Sequence, residues 1–297
     1  MDADQIAVAG DGRAPSRAEN LRIADVPAPE RRDRLGRHWL RWSVQAATVA
    51  VVILLWVVMV PALHVPAYLW PPLSAVFDAF TIVFITIPSE QGLMTPGGGI
   101  YDLTQTLIAT MIGYGISIVI ALALAVLATE FRVLDFILQP FVSALQALPK
   151  IALAPLFLVW FGLGMQGHIA LVVSVVVFPI MLNAYAGLRF IPDDYLELAR
   201  TLRSGRLRTL ALVKLPASLP SLFTGLSIGI IYALLAAIVA EFLAGQSGLG
   251  AQLVKAQANG DTAGVFAVLV VLAVLGAVLN GIVSLIGKRV VFWAGKR

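Results

Sequence analysis

Two ionisable residues interrupt otherwise apolar stretches of the sequence and could act on a charged solute. Lys150 separates two apolar runs, and Glu241 follows a run without any charge. Ionisable side chains at membrane depth are costly and are often functional. Lys150 could face an anion in a translocation path, or it could bond backbone carbonyls or extend toward a membrane surface. Glu241 could pair with Lys150 or cap a helix end, because its contact with an anion would be repulsive.

Motifs for covalent, metal or phosphoryl-transfer chemistry are absent from the sequence. The chain has no cysteine, which excludes disulfides, thiolate catalysis and cysteine metal sites. It also has no G-x-x-x-x-G-K-[S/T] phosphate loop and no H-E-x-x-H zinc motif. Its histidines lie near predicted helix ends, where a solvated or interfacial histidine is the default: His38, His64 and His168. We therefore expect no catalytic residue and no metal site, and a membrane-embedded enzyme ranks last among the candidate functions.

The composition predicts a polytopic, all-α membrane protein. Of the 297 residues, 59% are hydrophobic and 13% are charged, which is about half the charged fraction of a soluble domain. A spanning helix needs roughly 20 apolar residues. Such stretches predict a bundle of about six transmembrane helices, near residues 44–63, 104–128, 136–161, 168–188, 216–240 and 263–286. The turn between the third and fourth helices is predicted at Gly162–Gly167.

The distribution of Lys and Arg predicts the orientation of these helices. Basic residues close to helix ends stay in the cytoplasm. With the N-terminus inside, Arg132 and segment 189–214 lie on the cytoplasmic side together with both basic termini, whereas loop 64–103 contains no Lys or Arg. Both termini are thus predicted to be cytoplasmic. This topology accounts for the net charge of +4, so nucleic acid is not an expected partner.

Three stretches outside the regular spans have compositions that predict their structure. Residues 1–38 have the composition of a disordered cytoplasmic tail, which leaves residues 39–297 as the transmembrane domain. Ala75–Ile87 predicts a short interfacial element that either packs on the bundle or serves in substrate docking. Gln139–Trp160 contains three prolines, and the carbonyls they free are tolerated in lipid only beside protein or a water-filled cavity. We expect this last stretch to line a cavity, the alternative being a kinked helix within the bundle.

Segment 189–214 is the most polar internal stretch and is predicted to contain an amphipathic helix. Pro192-Asp193-Asp194 favours a helix start, because a helix N-terminus attracts acidic groups and accepts proline in its first turn. Apolar residues then recur at helical spacing and form one apolar face: Tyr195, Leu198 and Leu202. Such a helix can pack on lipid head groups or in a partner's groove. The residue pattern alone leaves both possibilities open.

The same segment contains two short motifs at a characteristic spacing, Glu197-Leu198-Ala199 and Val213-Lys214-Leu215-Pro216. Their arrangement resembles the coupling motif of ABC importer permeases, E-A-A, three residues, G, nine residues, I-x-L-P. Arg203 occupies the position of the motif's glycine, and the nearest glycine is Gly205. The resemblance implies that the following residues couple the chain to an ATPase subunit: Glu197, Leu198, Ala199, Leu202, Arg203, Gly205, Val213, Leu215 and Pro216.

Further similarity extends over most of the chain from about residue 70 onward. Residues 147–164, 178–187 and 240–250 are similar to the nitrate, sulfonate, taurine and bicarbonate branch of these permeases. The resemblance implies a type I ABC importer permease fold and a homodimer in the lipid of a bacterial inner membrane. It also implies two ATP-binding partner subunits, which hold the ATP and Mg, and an extracytoplasmic substrate-binding protein. This chain itself is expected to bind no cofactor and to form the path for a small solute, with anions expected first.

Two alternatives to anion import remain open at this point. A pyrimidine-type vitamin precursor is a second possible cargo, because selectivity in the family rests largely with the separate binding protein. A secondary transporter that works alone would also suit broken helices with an intramembrane Lys and Glu. The sequence shows no convincing internal repeat, which disfavours the secondary transporter.

Overall fold

The computed structural model describes residues 68–86, 95–131, 133–137 and 148–293, with shorter pieces at 43–44, 47–48, 50–51, 53–58, 66, 140 and 144. The chain divides into two compact units, Met1–Met59 and Val60–Arg297. In the first unit, the described residues between 43 and 58 are helical, at the position of the first predicted span. The predicted tail, residues 1–38, lies outside the described residues.

The described part of the second unit is almost entirely helical and contains no strand. Its α-helices, in chain order, are α1 (Leu73–Thr81), α2 (Gly99–Glu130), α3 (Ala154–Phe161), α4 (Met165–Arg189), α5 (Asp193–Thr201), α6 (Arg206–Thr209), α7 (Leu215–Ala244), α8 (Leu249–Ala258) and α9 (Thr262–Val290). A 3-10 turn, Lys150–Leu153, precedes α3. Turns of π-helix follow α1 and α6, at Ile82–Thr86 and Leu210–Lys214.

Four helical stretches among the described residues are long and apolar enough to cross a membrane: Gly99–Glu130, Met165–Arg189, Arg206–Ala244 and Thr262–Val290. They confirm the second, fourth, fifth and sixth predicted spans. An α-helix satisfies its own backbone polar groups, as a segment surrounded by lipid must. The chain is therefore an all-α, multi-pass membrane protein.

The third predicted span, 136–161, is not one continuous helix. Residues 133–137 are helical, but Leu148 and Pro149 are not, and α3 begins only after the 3-10 turn. Pro149 has no N–H to donate and disfavours helical geometry at the residue before it. The predicted helix is therefore interrupted at these two residues, and several positions between 138 and 147 lie outside the described part.

The connection between α3 and α4 is shorter than the predicted turn Gly162–Gly167. It consists of residues 162–164, and α4 begins at Met165. Gly162 adopts a φ of +87°, a conformation that only glycine enters without strain. Gly167 lies inside α4, where a Cβ would overlap the carbonyl oxygen of Gly162. Position 167 thus requires glycine because two stretches of backbone approach closely there, and not because it lies in the turn.

Helix α4 packs against both α2 and α7 and forms the centre of the main core. Its residues Val172, Val176 and Ile180 are fully buried. A Cβ at Gly113 of α2 would overlap Val172, and one at Gly229 of α7 would overlap Ile180. Glycines at these contacts let the helices approach closely, which is the main source of packing energy between helices in lipid.

A second, smaller core joins α1 and its π turn to α8 and α9. Phe80 stacks on Phe84 with ring centroids 5.2 Å apart. Phe84 belongs to a buried cluster with residues of the later helices: Leu234, Leu249, Leu253, Val268 and Leu272. The element predicted at Ala75–Ile87 is helical in its described part and packs on the bundle, while its position at a membrane interface stays a prediction.

Candidate functional site

Segment 189–214 folds into two short helices joined by a sharp bend. Helix α5 begins after Pro192, as predicted, and the Tyr195 N–H donates a hydrogen bond to the Pro192 carbonyl oxygen at 3.2 Å. Ala199 is buried against the rest of the subunit, whereas the Glu197 side chain is exposed. The Leu198 side chain lies outside the described part of the structure. The first half of the motif therefore exposes its acidic residue.

Arg203 forms the bend between α5 and α6. It adopts a φ of +50°, and the next residue, Ser204, donates its N–H to the Ala199 carbonyl oxygen at 3.0 Å. This left-handed conformation costs an L-residue roughly 1–2 kcal/mol and is normally occupied by glycine. Gly205 has an ordinary φ of −66° and is the N-cap residue that precedes α6. The backbone geometry that glycine favours is thus present at the motif position, although an arginine occupies it.

Several apolar side chains of the segment are left uncovered by the described part of the subunit. Leu202 is 73% exposed and Leu207 is 82% exposed, and Tyr195 is also exposed. Exposed basic residues adjoin Leu202 and Leu207 in the sequence: Arg203, Arg206 and Arg208. Large apolar side chains grouped on a surface mark an interaction site. Of the predicted apolar face, Tyr195 and Leu202 are exposed, and its role in binding a partner stays a prediction.

Ion pairs attach both ends of the segment to the end of α2 and the residues just beyond it. Lys214 Nζ lies 2.5 Å from Glu130 Oε1, and Arg189 lies 2.6 Å from Asp135 Oδ2. Tyr185 donates its hydroxyl to Asp135 Oδ1 at 2.5 Å and also contacts the Arg189 guanidinium. The two carboxylates are largely buried, so each charge needs its partner. Sequence reasoning missed these pairs, although opposite charges near ends of neighbouring spans were a usable signal.

The second half of the motif continues directly into a membrane span. Val213 lies in the π turn, and Leu215 and Pro216 open α7, all three being partly buried. Leu215 packs on the main core. Proline is tolerated in the first turn of a helix because that N–H needs no helical partner. Helices α6 and α7 are therefore joined by continuous helical backbone.

Lys150 lies at the wall of a cavity of about 390 Å³. Its Nζ is 4.6 Å from the centre of the Phe178 ring, within the range of a cation–π contact. Tyr232 of α7 also lines the cavity, as do residues from the interrupted third span and α4: Leu148, Pro149, Ile151, Val175, Pro179 and Leu182. The expectation that the proline-rich stretch lines a cavity agrees with this geometry. The cavity offers one cation on otherwise mainly apolar walls.

Glu241 lies in a buried polar cluster that caps the N-terminus of α8. Three consecutive backbone N–H groups donate to side chains: Gly248 to Asp102 Oδ1 at 2.8 Å, Leu249 to Thr106 Oγ1 at 2.9 Å, and Gly250 to Glu241 Oε2 at 2.9 Å. Thr106 also donates to Glu241 Oε2. Acidic groups are favourable at the positive end of a helix. The side chain thus caps a helix end, one of the two structural roles considered for it.

The structure does not bring Lys150 and Glu241 together as an ion pair among its described residues. Asp102 and Thr106 of the cap were not predicted from the sequence. Their signal was weak, because a buried acid near the start of a span is indistinguishable in sequence from one at the membrane surface.

Comparison with known proteins identifies the family. The family of binding-protein-dependent transport system inner membrane components matches residues 117–292, more than half of the chain. The chain belongs to this family. The permease is also 32% identical over 225 residues to a probable ABC transporter permease protein of Haemophilus influenzae, covering 75% of this chain and 86% of the relative.

Other relatives of the permease are named for particular cargoes. The nitrate import permease of Leptolyngbya laminosa is 29% identical over 74% of this chain and 78% of its own. A formylaminopyrimidine transport permease of Halalkalibacterium halodurans is 34% identical over 59% of this chain and 70% of its own. Further relatives are named for aliphatic sulfonates, taurine and bicarbonate. The predicted nitrate, sulfonate, taurine and bicarbonate branch is confirmed.

A solved structure confirms the fold. An inward-facing form of the MetNI methionine ABC transporter matches with a TM-score of 0.55 and 22% identity, covering 64% of this chain and 95% of that chain. The permease therefore has the fold of an ABC importer permease. Its relatives are permease subunits of transport systems, so it is a transport subunit and not an enzyme, and it works with a separate ATPase and a binding protein.

Proposed function

We propose that two copies of the permease form the membrane path of an importer for a small anion, such as nitrate, taurine or another sulfonate, or bicarbonate. The observation that carries the proposal is the ammonium group of Lys150 at the wall of a cavity between the interrupted third span, α4 and α7. A cation on mainly apolar walls attracts an anion more strongly than it would in water. Glu241 is left out of this path because it is fully buried in the α8 cap.

Segment 189–214 is proposed as the element that docks into the ATPase subunits. Its support is the exposed apolar and basic surface around Leu202 and Leu207 and the ion pairs that hold both of its ends. In this proposal two ATPase subunits bind ATP and Mg, and this chain binds no cofactor. Closure of the ATPases moves α6, and the continuous helix α6–α7 carries the motion to the cavity.

The permease is proposed to lie in a bacterial inner membrane with both termini in the cytoplasm. The support is the distribution of basic residues, since segment 189–214 and the end of α9 are rich in Lys and Arg. The end of the bundle that carries α1 and α8 then faces outward. The extracytoplasmic binding protein would deliver cargo at that end.

A pyrimidine-type vitamin precursor is a second candidate cargo. One relative is named for formylaminopyrimidine transport, and two aromatic residues, Phe178 and Tyr232, line the cavity. Aromatic side chains stack on planar heterocycles, which would suit such a cargo. The transporter that works alone is not supported further, because the chain belongs to a family of binding-protein-dependent transport components.

The test is uptake into vesicles that contain the permease, its ATPase and its binding protein. Nitrate, taurine, bicarbonate and formylaminopyrimidine are offered separately with ATP supplied to the ATPase side. The proposal predicts ATP-dependent accumulation of at least one anion. Accumulation of formylaminopyrimidine alone would replace the anion by the second candidate, and uptake that needs no ATP would contradict both.

A further inference from the structure

A groove of about 400 Å³ runs between α7 and α9 at the end of the bundle where α7 begins and α9 ends. Its lining forms two helical stripes that face each other: Pro220, Phe223, Thr224 and Ser227 from α7, and Val283, Ser284, Gly287, Lys288, Val291 and Phe292 from the end of α9 and beyond. The two helices meet at Gly287, which contacts the Phe223 ring. A Cβ on Gly287 would lie only 2.9 Å from that ring. This contact forms the floor of the groove.

The polar groups of the groove are available to a ligand. Lys288 is exposed and forms no ion pair within the described residues. The hydroxyls of Ser227 and Ser284 have no hydrogen-bond partner in that same part of the chain. Thr224 donates its hydroxyl to the Pro220 carbonyl oxygen at 3.1 Å, which leaves its oxygen as an acceptor. The groove therefore presents one ammonium group and two free hydroxyl donors.

These groups are ordered by depth along the spans. Lys288 lies in the last turn of α9, where the span ends. Ser227 and Ser284 lie about one helical turn deeper, since α7 enters the bundle from this end and α9 leaves it. Phe292 and Trp293 follow at the boundary with ring centroids 5.1 Å apart, and aromatic residues of this kind are enriched at the membrane–water interface. A cation thus lies at the boundary, hydroxyls lie below it, and apolar walls complete the groove.

We infer that this groove binds an anionic phospholipid. The order of its groups matches the order within the lipid: phosphate at the boundary, glycerol ester oxygens beneath it, and acyl chains along the apolar walls. Basic pockets between transmembrane helices bind anionic head groups in this way. Lys288 contacts the phosphate, and Ser227 and Ser284 donate to the ester oxygens. The site is separate from the cavity at Lys150 and from segment 189–214, the proposed coupling segment, so it does not depend on the proposed cargo.

The neighbouring residue Arg289 supplies a matched control. It is exposed and carries the same charge at the same boundary, but it does not line the groove. If lipid is held only by general attraction between basic residues and an anionic membrane, removing the charge of either residue should weaken lipid binding equally. A specific site loses its ligand only when Lys288 is changed.

The first test is native mass spectrometry of the permease complex, purified in mild detergent and loaded with phosphatidylglycerol. Lys288→Gln is expected to reduce the retained phosphatidylglycerol at least about fivefold, and Arg289→Gln to change it less than twofold. An equal loss of phosphatidylglycerol from the two variants would show that surface charge alone retains the lipid, and it would overturn the proposed site. Full retention by Lys288→Gln would overturn it as well.

The second test establishes that lipid, and not protein, covers the groove. Because the chain has no cysteine, Ser284→Cys introduces the only thiol of the permease. In vesicles of phosphatidylcholine alone we expect this thiol to react with a membrane-permeant maleimide, and added phosphatidylglycerol to slow the reaction at least about threefold. A thiol that is unreactive in both kinds of vesicle, yet reacts after denaturation, would show that a protein segment or a second copy occupies the groove and would overturn the proposal.

Discussion

Arg203 shows at the level of one residue how the coupling segment keeps its bend without the usual glycine. The residue holds a φ of +50°, which an unbranched side chain can adopt at some cost and a β-branched one can hardly adopt. The backbone geometry, and not the identity of the side chain, is therefore what the bend requires.

We predict that Arg203→Gly keeps ATP-driven uptake within about twofold, whereas Arg203→Val reduces it at least about tenfold because valine disfavours the left-handed conformation. The measurement is uptake into vesicles at constant permease content. Ser204→Val is the control, since that residue has no positive φ. Equal uptake by the two Arg203 variants would show that the left-handed bend is dispensable.

Lys150 is the residue on which the proposed anion path depends. Its ammonium group lies over Phe178 at the wall of the cavity, so an anion can replace the aromatic face as its partner. We predict that Lys150→Gln lowers uptake of the anionic cargo at least about tenfold, equivalent to about 1.4 kcal/mol, and that Lys150→Arg retains part of it. Uptake is measured with the assembled complex.

The control for this prediction is Lys255→Gln, which removes an exposed positive charge from α8. It is expected to leave uptake within twofold. If Lys150→Gln transports the anion as well as the unmodified protein does, the residue has a structural role at the broken helix and the cavity is not an anion path.

At the scale of elements, the coupling segment forms an ion pair at each of its two ends. Lys214 pairs with Glu130 at the end of α2, and Arg189 pairs with Asp135 just beyond it. Both ends of the segment are thus paired with the same stretch of chain. We expect a displacement of the segment to move α2 together with α4 and α7.

We predict that Lys214→Glu and Glu130→Lys each reduce uptake at least about tenfold while ATP hydrolysis continues, because each places like charges in contact. The double variant Lys214→Glu with Glu130→Lys restores the pair and should recover at least half of the uptake. Uptake and hydrolysis are measured on the same vesicles. Additive losses in the double variant would exclude the pair as a coupling element.

The cap of α8 depends on a glycine that leaves room for a carboxylate. Gly248 has a φ of +100°, and a Cβ there would overlap the Glu241 carboxyl group. Gly245 also has a positive φ, +65°, but nothing lies within 4 Å of its Cβ position. We predict that Gly248→Ala lowers the midpoint of thermal unfolding clearly more than Gly245→Ala does, because only the former adds a clash to the backbone strain. Tryptophan fluorescence in detergent measures both, and equal shifts would argue against the packed cap.

The long spans could be predicted from the sequence, because an apolar run such as 263–286 is recognised from neighbouring residues alone. The same holds for the helix that begins after Pro192. The broken third span was anticipated only in part, since three prolines show that a helix is strained but not where it stops. A capping role was among those considered for Glu241, but its partners Asp102 and Thr106 were not predicted, because they lie far from it in sequence. The ion pairs at Glu130 and Asp135 were missed, although opposite charges near the ends of neighbouring spans were a usable signal.

For the whole molecule, the main feature is the helical connection between segment 189–214 and the cavity at Lys150. Helices α6 and α7 form one helical stretch, Arg206–Ala244, from the exposed coupling surface to the cavity. The sequence contains no phosphate-binding loop, and in the proposed function a separate ATPase supplies the energy for transport by docking on segment 189–214.

The most direct test is to purify the tagged permease from its own host in mild detergent and to quantify the ATP-hydrolysing protein that accompanies it. We predict one ATPase chain per permease chain, and its loss when the exposed acid of the coupling segment is reversed by Glu197→Lys. A permease that is isolated without an ATPase and still moves solute would contradict the account.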